Sequence, residues 1–481
     1  MTDARKLREP QRRRIFAFHS LLFAFCSSSL FALDSTPINP SMATDGAGHW
    51  IVAWQSADPL GGTIGADLDI LLARSDDDGV SWSAPRPLNA NAASDTGDDF
   101  NPQVTTDGSG TWLAIWVSRD PLGDTIGSDL DVVVSRSTDN GLTWSPPGIV
   151  GPYAEGDTLT DMNPRLAASG SGQWLAVWEI FGAIGSDADI MASRSTDDGR
   201  SWTPVPLLNT NAGEDSGGDF TPQAVATAPG ELLAVWWSDD PLGRAIGTDF
   251  DLLVSRSADQ GLTWSAPVEM HAAASNDLGD DRFPRLAIDG SAGVLVVWES
   301  FNDLKGSIGV DLDILISRSS DRGLTWSPAR PLNSNADADT GEDRMPAIAS
   351  GGDGDFIVVW ESSDPLGATI GDDLDILVAR SSDSSLTWTD PVPLDPGARS
   401  DDAEDFSPQI ASGGATWIVL WESQQKDSTS SSPDSRAGSG PDSGPGFGPS
   451  LGGNPAILIS RSVDGGLTWL APARINTPAA D

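Results

Sequence analysis

The sequence predicts an all-β fold, a seven-bladed β-propeller built from four-stranded antiparallel blades. Three observations lead there. A turn motif typified by RSTDNGLTW (136–144) occurs seven times. Each repeat holds four short stretches of strand character between turn signals. No stretch carries helical periodicity.

The seven copies begin at Arg74, Arg136, Arg194, Arg256, Arg318, Arg380 and Arg461, with spacings of 62, 58, 62, 62, 62 and 81 residues. A catalytic cluster is normally built once per chain, whereas a motif repeated at a near-fixed period is a structural unit. Within residues 101–150, NPQVTTDG reads as strand A and a turn. TWLAIWVS alternates and is rich in Trp and β-branched residues, so it is strand B. DPLGDTIGS is a Pro/Gly loop, DLDVVVSRS is strand C, STDNGLTW is the tight C–D turn, and SPPGIV opens strand D. Four strands per period make one blade, and seven C–D turns make seven blades. The first blade starts near Pro40 and the last ends near Ile475, both complete, with no sign of strand exchange at the closure. All 19 tryptophans fall in the repeats, seven at the ends of turn motifs and twelve in or beside strand B. Packing between blades is the expected role, with sugar stacking reserved for the few that are exposed.

Residues 1–32 read as a signal peptide. Arg5, Lys6, Arg8 and Arg12 to Arg14 precede the apolar run IFAFHSLLFAF (15–25), which is short for a membrane span. The mature chain, 33–481, is expected in a secreted, periplasmic or extracellular location. Removal of the leader takes Cys26, the one cysteine, so no disulfide supports the fold. The formal net charge is −42, and Lys305 and Lys426 are the lysines beyond the leader. Such a surface repels nucleic acid and anionic membranes, and suits divalent cations. No later segment reads as transmembrane.

Ser137, Asp139, Gly141, Thr143 and Trp144 spell S-x-D-x-G-x-T-W. This motif resembles the Asp-box of sialidases and other bacterial neuraminidase repeat (BNR) proteins, and the copies cover most of the chain. The resemblance implies a propeller, six-bladed as in sialidases being the alternative to seven. It also implies a structural role for Asp77, Asp139, Asp197, Asp259, Asp321, Asp383 and Asp464. The carboxylate accepts backbone N–H bonds and ties the turn, while Gly supplies a positive φ. The sixth copy has Ser385 in place of Gly, which predicts strain or another turn type.

In an up-and-down blade the A–B and C–D turns share one face, and the B–C and D–A loops share the other. The Asp-boxes therefore lie on one face and two recurring acidic loops on the opposite one. The B–C loops end in I-G-x-D-x-D, giving Asp67/Asp69, Asp129/Asp131, Asp187/Asp189, Asp249/Asp251, Asp311/Asp313 and Asp373/Asp375. The D–A loops, as in NANAASDTGDDFNPQ (89–103), add further carboxylates. Clustered like charges require pairing, protonation or a cation, and oxygen-rich loops with glycine turns suit calcium. The expectation is one Ca²⁺ per D-x-D loop in up to six blades. The competing reading is that these aspartates cap loop N–H groups and face water. Blade 7 replaces the pair with a Ser/Gly/Pro-rich insertion, 424–454, of flexible composition.

The resemblance to sialidases implies three arginines for a substrate carboxylate, a Tyr nucleophile with a Glu partner, and an acid/base Asp near the axis. Arg165 and Arg285 fall at the start of strand A, and Arg282 and Arg344 in the loops just before it, as candidate ligand-binding residues. Tyr153 is the one tyrosine, with Glu155 two residues on. It lies early in the chain, where the family places its nucleophile late, and INPSM (38–42) stands where the arginine signature is expected. Only His49 and His271 remain beyond the leader, which argues against a multi-histidine zinc site. The sequence thus points to an exported, non-catalytic binding or scaffold propeller presenting an acidic face to a glycan or protein partner. The alternative is a sialidase-like glycosidase with an atypical site using Tyr153 and Glu155.

Overall fold

The computed structural model describes residues 38–476 except 124, 128, 152–157, 216, 245, 248, 272–278, 291, 372, 400–401 and 426–454. The leader 1–32, the pair Tyr153/Glu155 and nearly all of the 424–454 insertion lie outside the described residues.

Seven antiparallel sheets of four strands follow one another along the chain, and the described residues contain no α-helix. Blade 1 is β1 (Ile38–Thr44), β2 (Trp50–Ser56), β3 (Asp69–Ser75) and β4 (Arg86–Pro87). Blade 2 is β5 (Asp99–Thr106), β6 (Trp112–Ser118), β7 (Asp131–Ser137) and β8 (Gly148–Ile149). Blade 3 is β9 (Thr160–Gly170), β10 (Gln173–Phe181), β11 (Ala188–Ser195) and β12 (Thr203–Pro204). Blade 4 is β13 (Asp219–Ala228), β14 (Glu231–Ser238), β15 (Asp251–Ser257) and β16 (Val268–Glu269). Blade 5 is β17 (Asp281–Ile288), β18 (Val294–Ser300), β19 (Asp313–Ser319) and β20 (Arg330–Pro331). Blade 6 is β21 (Asp343–Gly352), β22 (Asp355–Ser362), β23 (Asp375–Ser381) and β24 (Val392–Pro393). Blade 7 is β25 (Ala403–Gly413), β26 (Thr416–Gln425), β27 (Ala456–Ser462) and β28 (Ala473–Arg474).

Each strand A touches the strands A of both neighbours, so these strands line the axis. The ring closes by packing β1 against β25 and β26, without a shared strand. Strand B is apolar on both faces because it lies between two sheets. Trp50, Val52 and Trp54 of blade 1 form one buried cluster with Ile418, Leu420, Ile457 and Ile459 of blade 7. The strand-B tryptophans are the largest fully buried side chains, which is the wedge-filling role expected of them.

Strand A begins earlier than the sequence reading placed it. Proline lacks an N–H, so Pro102 and its equivalents look like strand starts. Pairing instead begins several residues before the proline and is interrupted there by a bulge, between Phe100 and Gln103 in blade 2 and between Arg282 and Arg285 in blade 5. Arg282 and Arg344 are consequently strand residues of β17 and β21, not loop residues. The residue before each proline has a positive φ: Asn39, Asn101, Asn163, Thr221, Phe283, Met345 and Ser407.

Candidate functional site

The seven Asp-boxes consume their own polar groups. Ser137 Oγ donates to Asp139 Oδ1 (2.8 Å) and accepts the Gly141 N–H (2.9 Å). Thr143 N–H donates to Asp139 Oδ1 (2.8 Å), and Thr143 Oγ1 donates to Asp139 Oδ2 (2.6 Å). The same bonds in blade 5, first from the Thr325 hydroxyl and then from its amide, hold the Asp321 carboxyl down to about 2. A carboxylate saturated by its own turn has little capacity for chemistry. The A–B and C–D turns share a face, joined by Asp78 N–H to Gly48 O (3.0 Å), and Gly65 N–H to Ala92 O (3.0 Å) joins the B–C and D–A loops on the other.

On that second face, the later aspartate of each D-x-D pair opens strand C, except in blade 3, where Asp189 is its second residue. Asp69, Asp131, Asp189, Asp251, Asp313 and Asp375 are buried. Asn89 Nδ2 reaches Asp69 Oδ1 (2.8 Å), Asp99 Oδ2 (2.9 Å) and Asp95 Oδ2 (3.3 Å). Burial, more than the charge of Asp95 or Asp67, pushes Asp69 up to about 7. The earlier aspartates, Asp67, Asp129, Asp187, Asp249, Asp311 and Asp373, lie in the loop just before it. In blade 4, His271 occupies the place of Asn89: its Nε2 lies 2.7 Å from Asp281 Oδ2 and its ring stacks on Trp298.

Nearer the axis the structure assembles a ring that the sequence reading missed. Strand B carries Gln55, Glu179, Glu299, Glu361 and Glu422 at equivalent positions, all buried. Each accepts the backbone N–H of the positive-φ residue in the next blade. The pairs are Asn101 to Gln55 (2.8 Å), Thr221 to Glu179, Met345 to Glu299 (3.0 Å), Ser407 to Glu361 (2.7 Å) and Asn39 to Glu422 (2.7 Å). The repeated Trp-Glu dipeptide (178–179, 298–299, 360–361, 421–422) was the available signal. Burial raises Glu299 to about 7 and Glu422 to about 8, with Glu361 pushing both further in the same direction.

The four arginines come to this ring. Burial, and then the charge of Arg165, lowers Arg285 to about 9, while Glu299 opposes that shift. Arg344 and Arg282 also act on Glu299, and Arg165 acts on Glu179. The charges of Arg344, Arg282 and Arg285 are thus felt at or from Glu299, and that of Arg165 at Arg285. Two of them pair with acids, Arg282 with Asp280 (2.6 Å) and Arg344 with Glu342 (3.6 Å), whereas Arg165 and Arg285 donate to the backbone carbonyls of Pro164 (2.9 Å) and Pro284 (3.1 Å).

Blades 2 and 4 break the ring, with Val117 and Trp237 at the glutamate position. Around Trp237 an aromatic group forms. Phe220 stacks on it at 4.5 Å, Phe250 meets it edge-on at 4.7 Å, and Phe283 lies 5.9 Å away. The Arg282 guanidinium covers Phe250 at 4.7 Å and Trp237 at 5.8 Å. Trp237, Phe220 and Phe250 are only partly buried on the loop face, unlike the fully buried Trp236 beside Trp237. The doubled Trp in ELLAVWWS (231–238) marked this break in the sequence.

The BNR repeat-like domain family matches residues 48–281 of this chain. No curated protein matches it. Among solved structures, the chain is similar to a protein of unknown function from Dyadobacter fermentans DSM 18053 (TM-score 0.46, 16% identity, covering 72% of this chain and 94% of that one). It is also similar to a Hadza microbial sialidase, Hz136 (TM-score 0.43, 15% identity, 74% and 73% covered). A third similar structure is a family PL25 ulvan lyase (TM-score 0.46, 12% identity, 81% and 92% covered).

Proposed function

We propose that this seven-bladed β-propeller, whose residues 48–281 match the BNR repeat-like domain family, is an exported, non-catalytic glycan-binding protein; fold alone leaves its activity open. The observation that carries this reading is the partly buried aromatic group Trp237, Phe220 and Phe250 under Arg282, at a place where the repeat is broken. Aromatic faces pack against the C–H faces of sugar rings, and the Arg282–Asp280 pair offers a donor and an acceptor to hydroxyl groups. Arg282, the arginine over the aromatic group, is paired with Asp280 and the chain carries −42, so the favoured ligand is an uncharged oligosaccharide. Among the described residues no helix is long and apolar enough to cross a membrane.

The test is calorimetric titration with neutral oligosaccharides and their uronate counterparts. Binding of a neutral oligosaccharide, weakened at least tenfold by Trp237→Ala, is the expected result. Equal affinity in Trp237→Ala, or binding confined to the uronates, overturns the reading. A glycosidase is the second reading. It rests on Glu299, a carboxyl raised to about 7 by burial, against the opposing charges of Arg344 and Arg282. Turnover of an aryl glycoside abolished by Glu299→Gln would establish it in place of the first.

A further inference from the structure

Blades 1, 3 and 5 share a D–A loop sequence: LNANAASDTGDD (88–99), LNTNAGEDSGGD (208–219) and LNSNADADTGED (332–343). In blades 1 and 5 this loop carries a third carboxylate to the D-x-D pair. One oxygen from each of Asp67, Asp69 and Asp95 lies within 4.8 Å of the others, and so it is for Asp311, Asp313 and Asp339.

These groups are short of side-chain donors, which are Asn89 Nδ2 in blade 1 and, in blade 5, Asn333 Nδ2 and Asn335 Nδ2, the last reaching Asp339 Oδ2 (2.7 Å). Asp69 and Asp313 are each 1% exposed, and the Oδ2 of each has no hydrogen-bond partner. Asp67 Oδ2, Asp95 Oδ1, Asp311 Oδ2 and Asp339 Oδ1 are likewise buried without a partner. Asn89 Nδ2 has two hydrogens to share among three carboxylate oxygens, and Asn333 Nδ2 faces the same demand from Asp313, Asp339 and Asp343. Among the described residues, no lysine or arginine forms an ion pair with any of the six aspartates. Asn91 and Asn335 turn their Nδ2 to Asp120 and Asp364 of the next blade, leaving a buried Oδ1 without a partner.

Every unsatisfied atom in the two groups is an oxygen. A buried oxygen-only set of carboxylates and amide carbonyls is what calcium takes, six to eight at a time and in irregular geometry. Nitrogen- or sulfur-preferring metals find no ligand there. We propose that blades 1 and 5 each bind one calcium ion, held by Asp67, Asp69 and Asp95 and by Asp311, Asp313 and Asp339. The ion clamps the B–C loop to the D–A loop of its blade, where Gly65 N–H to Ala92 O (3.0 Å) and Gly309 N–H to Ala336 O (2.8 Å) already join them.

Blade 3 is the internal control. Its B–C connection is residues 182–187, against 57–68 and 301–312 in blades 1 and 5. Asp187, Asp189 and Asp215 do not gather to the same distance, although the D–A sequence is shared.

The experiment is calorimetric titration of the full chain, first stripped with chelator, with calcium alone and then magnesium alone. Two calcium ions per chain are expected, with a rise in melting midpoint that chelator reverses. Asp95→Asn and Asp339→Asn, both in loops, each remove one ion, the double variant removes both, and Asp215→Asn removes none. Absence of calcium binding, a stoichiometry unchanged by Asp95→Asn and Asp339→Asn in variants whose circular dichroism matches the parent, or equal binding of magnesium overturns the proposal.

Discussion

Glu422 in the last blade accepts the backbone N–H of Asn39 in the first strand at 2.7 Å, and so closes the ring across 383 residues of sequence. On the opposite face Arg461 Nε donates to Asp78 O (2.7 Å), a second bond across the same seam. Between these two bonds lies the cluster of Trp50, Trp54, Ile418 and Leu420. Closure here is a side-chain device repeated from the other blades, not a strand exchanged between the ends.

Removing this acceptor orphans a buried amide. Glu422→Ala should destabilise the protein by about 1–3 kcal/mol, while Glu422→Gln, which keeps an acceptor, should cost much less. Urea unfolding of the two variants measures the difference, and equal losses would refute the role given to Glu422.

The same carboxyl makes stability depend on pH. Its value in the fold is about 8, against 4.5 for an ordinary glutamate. The fold therefore binds its proton more tightly than the unfolded chain does. Its contribution is complete below 4.5 and is lost as pH rises through 8. Melting of Glu422→Gln relative to the parent should accordingly improve between pH 5 and pH 8.5, and a pH-independent difference would contradict it.

Asp321 should show the opposite limb. Its carboxyl is held at about 2 against 3.8, so its contribution is present above 3.8 and lost as pH falls through 2. It lies in a surface turn and is partly exposed, so solvent screening keeps the effect small, about 1 kcal/mol at pH 6 for Asp321→Ala. The gap between the two proteins should close by pH 2, as followed by acid unfolding.

The Asp-box turn also packs between blades. A Cβ on Gly141 would stand 2.3 Å from Ile51 Cδ1, at a φ of +76°. Gly141→Ala should therefore cost about 1–3 kcal/mol. Ser385 keeps the same left-handed turn, with φ +64°, so the strain expected from its sequence is present without a change of turn type. Ser385→Gly should raise stability by about 1 kcal/mol. Thermal melting of both checks the pair of opposite signs.

Much of this was legible in the residues. Seven copies of S-x-D-x-G-x-T-W required seven turns of one kind, because a local hydrogen-bond pattern such as Ser137–Asp139–Thr143 depends on neighbours two to four positions apart. The period and the Trp-rich strand B then fixed blade number, strand order and which face the acidic loops share. What the sequence did not reveal is what forms between blades. Glu422 and Asn39, or Arg285 and Arg165, are far apart in the chain, and nothing local marks them as neighbours. The x-Pro bulge hid the true start of strand A, since a missing N–H looks the same at a strand's end and at an interruption within it. Six D-x-D pairs read alike, yet a third aspartate arrives only where the full-length B–C loop of 57–68 or 301–312 meets the D–A loop that carries Asp95 or Asp339. Periodicity determined the architecture because it is a property of short segments. The axial ring and the gathering of Asp67, Asp69 and Asp95 were decided by contacts between blades and by the meeting of two separate loops, which arise only once the blades are in place.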